Sequence, residues 1–202
     1  ADLDLLIATT SANGGSSYLH AFENRGGVFT DRTNDLDIDM SGYSPIAADF
    51  DNDGDMDILA TQEQDYAVYY RNEGNWNFVQ RNSTGLEING GDIRGAAAFD
   101  YDEDGDLDLF AARADMFNLL MQNNLESSNS FIKLSANGPG GDVGGIGSKI
   151  WLYESGHLND PDFLISYSEI LAANGHISQT SPLQHCGLGT YQSCDVLIRF
   201  ID

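Results

Sequence analysis

Residues 49–57 read DFDNDGDMD and residues 100–108 read DYDEDGDLD. Each stretch has aspartate at five of its nine positions and glycine at the sixth, and the two begin 51 residues apart. Like charges this close repel strongly unless water disperses them or a cation sits among them. A single copy would leave both readings open, because aspartate is common in turns. Two copies in register, with glycine at the same place, favour the cation.

With the loop numbered from 1 to 9, positions 1, 3, 5 and 9 are Asp49, Asp51, Asp53 and Asp57 in the first copy. In the second they are Asp100, Asp102, Asp104 and Asp108. Alternate residues of a tightly curled loop aim their carboxylates at one point. Gly54 and Gly105 permit the bend, since glycine tolerates φ > 0 without steric cost. Position 7, Asp55 or Asp106, is expected to offer its backbone carbonyl. Such a set of hard oxygen donors, without nitrogen or sulfur, suits Ca²⁺ far better than Zn²⁺ or Cu²⁺. Mg²⁺ fits less well, because it prefers fewer protein ligands and a stricter octahedron. An EF-hand would need a bidentate Glu at position 12 and a helix on each side. Position 12 is Ala60 or Ala111, and the flanks read as strands.

The loops belong to a longer repeat. IAADFDNDGDMDILAT (46–61) lies over AAAFDYDEDGDLDLFAA (96–112), and VYYRNEGNWNFVQRN (68–82) over NLLMQNNLESSNSFIKL (118–134). An earlier copy aligns ADLDLLIATT (1–10) with GDMDILATQ (54–62), and pairs Asn24 with Asn72 and Asn123. In that register Asp2 and Asp4 are positions 7 and 9 of a third loop, cut off at Ala1. Each copy contains short apolar runs bounded by Gly, Asn and Asp, which read as strands. Four strands in about 50 residues is the pattern of a β-propeller blade. ADMFNLLMQNN (114–124) also suits an amphipathic helix, but its alignment with 68–72 favours a strand. Ser130–Leu134 is expected as the fourth strand of its copy.

Composition narrows the partners. There are 32 acidic residues against 9 basic ones, a formal charge of −23, which argues against nucleic acid and anionic membranes and favours cations. A uniformly acidic, salt-adapted surface is the plain alternative, yet much of the acid is concentrated in two loops. No apolar run reaches the length of a bilayer span. Asn82-Ser83-Thr84 is an N-glycosylation sequon, a triplet that also arises by chance. Cys186 and Cys194 flank CGLGTYQSC, whose Gly-Leu-Gly-Thr centre reads as a turn. A hairpin there would bring the two within bridging distance, the alternative being two free buried thiols.

DFDNDGDMD and DYDEDGDLD, followed by YYRNEGNWNF, resemble FG-GAP/VCBS repeats, the calcium-loop blades of integrin-α-type β-propellers. The resemblance covers roughly residues 1–135. It implies structural Ca²⁺ held by Asp49, Asp51, Asp53, Asp55 and Asp57, and by Asp100, Asp102, Asp104, Asp106 and Asp108. About three blades are visible, fewer than close a propeller, so the expectation is a fragment or a partial propeller completed by another copy. GGIGSKI (144–150), NGHISQTSPLQHCGLG (174–189) and DVLIRF (195–200) resemble the ASPIC/UnbV domain. That family's Phe is Cys186 here, a departure that supports a local bridge to Cys194. The pairing of the two modules is similar to the cartilage acidic protein group, which is extracellular and implicated in adhesion or matrix roles.

The expected fold is therefore all-β. About three four-stranded blades (residues 1–45, 46–95 and 96–130) precede a small β-sandwich or barrel-like domain at 131–202. The expected function is that of a secreted, calcium-binding, non-catalytic adhesion, matrix or self-assembly module with a protein or glycan partner. A lectin-like propeller using Tyr69, Tyr70 and Trp76, or an accessory piece of a larger enzyme, are the alternatives. His20, His157, His176 and His185 come with no Gly-x-Ser-x-Gly elbow. A turn-organising His185 outweighs a hydrolytic set built with Ser178, Thr180 or Ser181. NGPGGDVGGIG lacks the Gly-Lys-Ser/Thr of a phosphate loop.

Overall fold

The computed structural model describes residues 2–9, 18–36, 38, 45–61, 66–138, 145–172, 181 and 183–201. Among them the regular structure is β throughout, apart from two 3₁₀ turns at Thr33–Asp35 and Pro161–Phe163. The strands are β1 (Leu5–Thr9), β2 (Tyr18–Arg25), β3 (Val28–Asp31), β4 (Ile46–Ala48), β5 (Asp57–Thr61), β6 (Tyr66–Asn72), β7 (Phe78–Arg81) and β8 (Ile88–Asn89). They continue with β9 (Ile93–Phe99), β10 (Asp108–Arg113), β11 (Leu119–Met121), β12 (Ser130–Ser135), β13 (Lys149–Glu154), β14 (Leu164–Glu169), β15 (Leu183–Gly189) and β16 (Cys194–Arg199). No helix among the described residues is long and apolar enough to cross a membrane.

The repeat appears as three antiparallel sheets, β1-β2-β3, β4-β5-β6-β7 with β8 beside β6, and β11-β10-β9. Both complete acidic loops join neighbouring strands of one sheet, β4 to β5 and β9 to β10. β11 stands where a helix was the competing reading. Among the described residues only the middle sheet has the four strands expected of every copy, with β8 as an addition. The third sheet stops at three because Ser130–Ser135 pairs with β15 instead. Its side chains explain that choice. Phe131 stacks on His185 with ring centroids 4.9 Å apart, and Lys133 reaches Asp100.

The middle sheet is covered on both faces, which is why every residue of β5 is buried. Period-two alternation sends Ile58 and Ala60 to one side, where they join Leu19, Ala21, Leu36 and Tyr70. Leu59 goes to the other side, with Phe50, Tyr69, Leu86, Ile93, Leu109 and Ala111. The register of the repeat thus decides which residues meet. Leu109 and Ala111, equivalent to Ile58 and Ala60, face the preceding sheet in the same way.

The last part of the chain forms two sheets, β12-β15 and β14-β13-β16. Between them Ile150, Leu152, Ile170, Cys186 and Leu188 make a third core. The Gly-Leu-Gly of HCGLG is not the turn expected of it. Gly187, Leu188 and Gly189 lie in β15, and the turn follows at Thr190. The hairpin expected to join the two cysteines does not form either, because β15 pairs with β12 and β16 with β13. Cys186, buried, and Cys194, half-buried, are both free thiols.

Candidate metal centre

The loops repeat not only in sequence but bond for bond. In each, the carboxylate at position 1 accepts from the position 6 glycine, Gly54 N–H to Asp49 and Gly105 N–H to Asp100, both at 3.0 Å. The last aspartate ties the loop shut. Asp57 accepts from Phe50 N–H at 3.1 Å and Asn72 N–H at 2.8 Å. Asp108 accepts from Tyr101 N–H at 3.0 Å and Asn123 N–H at 2.9 Å. Gly54 and Gly105 have φ of 97° and 101°, a region closed to most side chains. At Gly105 a Cβ would also lie 2.3 Å from Phe131 Cε1.

The incomplete first copy keeps the closing contacts. Asn24 N–H donates to Asp4 at 2.8 Å, and Asn24 Nδ2 to the Leu3 carbonyl at 3.0 Å. Asn72 does the same to Met56 O and Asn123 to Leu107 O, each at 3.1 Å. The asparagine column was visible in the sequence, but its task was not. It straps the following strand pair to the mouth of each loop. Ala1 lies outside the described residues.

Within each complete loop three carboxylates converge. Asp49, Asp51 and Asp57 each present an oxygen within 4.8 Å of the others, as do Asp100, Asp102 and Asp108. Position 5, expected among the ligands, is not in either set. Asp53 instead accepts from Asp55 N–H at 2.9 Å and meets Arg71 at 3.1 Å, while Asp104 accepts from Asp106 N–H at 3.0 Å. The position 7 carboxylates also stay outside, and Asp106 accepts from Asn52 Nδ2 at 3.0 Å.

Electrostatics separates the two loops. The first is enclosed, with Asp49, Asp51 and Asp57 all buried. Burial, then repulsion from Asp53, pushes Asp49 up to about 7 and Asp51 up to about 6. Burial pushes Asp57 up to about 8, although Asn72 N–H opposes the shift. Tyr69 OH donates to Asp57 at 2.8 Å. The one neighbouring cation is Arg71 among the ion pairs of these residues, with Nε 2.6 Å from Asp51. In the equivalent place of the second loop, Gln122 Nε2 donates to Asp102 at 2.7 Å. That loop is more open, and Lys133 Nζ lies 2.6 Å from Asp100. Burial opposes ionisation of Asp100, yet Lys133 holds it below the usual carboxylate range.

These donor sets fit a hard divalent cation on chemistry as well as spacing. They are all oxygen, they carry more negative charge than their neighbours balance, and buried Asp100 Oδ1 has no hydrogen-bond partner among the described residues. A buried carboxylate oxygen left without a partner is costly, and a cation would satisfy it.

Sequence reasoning missed the residues that enclose the first loop. Asn52, at position 4, has φ of 61° and donates to Gly105 O at 3.0 Å. Ser127 and Asn129 both donate to the Asp51 carbonyl, at 2.8 and 3.0 Å. From β15, Gly187 N–H donates to Asp49 at 3.1 Å and Gly189 N–H to Asn52 O at 2.8 Å. His185 Nε2 is 2.7 Å from Asn52 Oδ1. Both donor bonds of the Asn52 amide nitrogen go to the second loop, so its oxygen faces His185 and Nε2–H is the donor. Burial, then Lys133, pushes His185 down to about 4, so it acts as a neutral ring. His20 lies half-buried in β2, and His157 stacks on Phe163. His176, Ser178 and Thr180 lie outside the described residues.

An all-β chain of repeated sheets, each complete loop converging three carboxylates at the start of a strand, defines a class of repeat protein built around acidic loops. Residues 1–60 and 49–111 match the family model of the FG-GAP-like repeat. Together the matches span more than half of the 202 residues, and the chain belongs to the FG-GAP-like repeat family. No curated protein matches the chain.

Proposed function

We propose that this chain is a secreted, calcium-binding and non-catalytic structural module, serving adhesion, matrix or assembly. It combines a partial propeller of FG-GAP/VCBS blades with an ASPIC/UnbV-like β domain from about residue 131. The observation that carries the reading is the twofold convergence of Asp49, Asp51 and Asp57, and of Asp100, Asp102 and Asp108, within 4.8 Å. These six residues would hold the ions. Calcium there supplies charge neutralisation, and it stabilises the state that binds it by mass action.

Extracellular calcium modules work at Kd of roughly 10⁻⁴ to 10⁻³ M, the range expected of these loops in that setting. An exposed Asn82 in its sequon fits the same setting. An assembly role is supported by the two ends of the repeat. Leu5 and Ile7, equivalent to Ile58 and Ala60, are 44% and 37% exposed. Phe110, equivalent to Leu59, and its cross-strand partner Leu120 are 38% and 50% exposed. Their counterparts in the middle sheet are buried in sheet-to-sheet packing. Of the aromatics of the lectin reading, Tyr69 and Tyr70 are core residues, which leaves it the half-buried Trp76.

Calcium titration by calorimetry tests the reading, alongside melting with and without excess chelator. Binding of two ions and a melting temperature clearly lowered by chelator are expected. A melt indifferent to chelator sinks the structural role.

A further inference from the structure

The acidic loops are not free surface. Strand β15 lies across the first and strand β12 against the second. Lys133 reaches Asp100, Phe131 packs against Gly105 and stacks on His185, and His185 meets Asn52. The closest contact is at Gly187. A Cβ there would sit 2.1 Å from Asp49 Oδ2 and 2.5 Å from the Asn52 carbonyl carbon. Gly187 does not have a left-handed φ, so its own strand does not require glycine. Only the approach of β15 to the loop does.

We infer that β15, through His185, Gly187 and Gly189, clamps the first acidic loop, so that cation binding there and docking of the C-terminal sheets depend on each other. The inference rests on the calcium reading and adds regulation to it. Asp49 Oδ2 shares its two N–H donors between the loop, at Gly54, and the clamp, at Gly187. A cation keeps the loop closed around it, which keeps Asp49 and the Asn52 carbonyl where β15 needs them. Docked β15 in turn holds Asp49 and Asn52 in the conformation that converges on the cation. Coupling of this sort is reciprocal by necessity.

The experiment uses the full chain, with calcium chloride followed by calorimetry and hydrogen exchange followed at residues 183–189 and, as reference, at 66–72. In the unaltered chain calcium is expected to slow exchange at 183–189 more than at 66–72. Gly187→Ala is expected to weaken one calcium site by roughly tenfold and to abolish the calcium-dependent protection of 183–189. Should that variant fail to fold, Asn52→Gly decides, because glycine is at ease at φ of 61° while the His185 contact is lost. It is expected to loosen 183–189 in calcium. Calcium binding with the same protection of 183–189 in its presence and absence overturns the clamp and leaves the calcium reading standing. Unchanged affinity and unchanged protection in the folded variants do the same. No calcium binding by the unaltered chain overturns both.

Discussion

The side chain of Asn123 donates to the carbonyl of Phe50, 73 residues earlier, at 2.8 Å, and to the carbonyl of Leu107 at 3.1 Å. One buried amide therefore holds the second residue of the first loop and the eighth of the second. Asn72, its equivalent one repeat earlier, serves only Met56 O with the same nitrogen among the described residues. The two loops are thus built as a pair, fastened by the residue that closes the later one.

Asn123→Ala leaves two carbonyls without their donor in a place that water does not reach. We expect a loss of about 2–3 kcal/mol. Asn72→Ala, at a more accessible site, is expected to cost about 1 kcal/mol. Urea unfolding of the two variants in calcium measures the difference. Equal losses would mean that the bridge between loops carries no weight.

The metal-free chain should respond to pH in the direction opposite to ordinary acid denaturation. Asp49, Asp51 and Asp57 titrate at about 7, 6 and 8, above the unfolded value of about 3.9. The native state therefore binds their protons more tightly than the unfolded chain. The stability this gives is complete below the unfolded value and is lost as pH rises through about 6 to 8. Glu23, Asp31 and Asp100, all held low, act in the opposite direction only below this window, while His185, pushed down to about 4, opposes the trend up to its unfolded value of about 6.5. In chelator, the melting temperature is expected to be lower at pH 8 than at pH 5.5, and calcium at pH 8 should restore it. A higher melting temperature at pH 8 in chelator counts against charge repulsion in the first loop.

Much of this was legible in the residues and some was not, for identifiable reasons. The register linking Asp4, Asp57 and Asp108 to Asn24, Asn72 and Asn123 is local, so repetition exposed it. The fate of Ser130–Ser135 is not local. Its alternating burial marks a strand with two faces, but alternation does not name the partner, and β15 lies some 50 residues on. The glycines of HCGLG advertised a backbone feature and were read as a turn. Glycine equally marks close approach of another segment, and at Gly187 that segment is Asp49. Spacing alone names Asp53 as a ligand and cannot foresee its contact with Arg71.

Gly105 carries two separable constraints, a φ of 101° and the ring of Phe131 against the missing Cβ. Gly105→Ala should cost about 2–4 kcal/mol, combining backbone strain with overpacking. Gly26→Ala, with φ of 64° and open space around it, isolates the backbone part at about 1 kcal/mol. In a double-mutant cycle with Phe131→Ala, the steric part of the Gly105→Ala cost should vanish and the strain remain. Strict additivity would remove Phe131 from the second loop's surroundings.

The convergent sets also rank the aspartates by their effect on calcium. Asp51 offers an oxygen to the cluster and Asp53 does not. Asp51→Asn removes a charge aimed at the ion and should weaken the first site by at least about tenfold, taking roughly 1.4 kcal/mol as the smallest value of such a contact. Asp53→Asn removes a charge engaged with Arg71 and with the loop backbone. It frees Arg71 to lean on Asp51, so it should weaken the site less, by a few-fold. Asp102→Asn and Asp104→Asn repeat the comparison in the second loop, where no arginine intervenes in the equivalent contact and Gln122 meets Asp102. The ratio between positions 3 and 5 should therefore be larger there. Calorimetric titration of the four variants reads both ratios. Equal losses at positions 3 and 5 in both loops would return position 5 to the ligand set and show that the loops re-form around the ion.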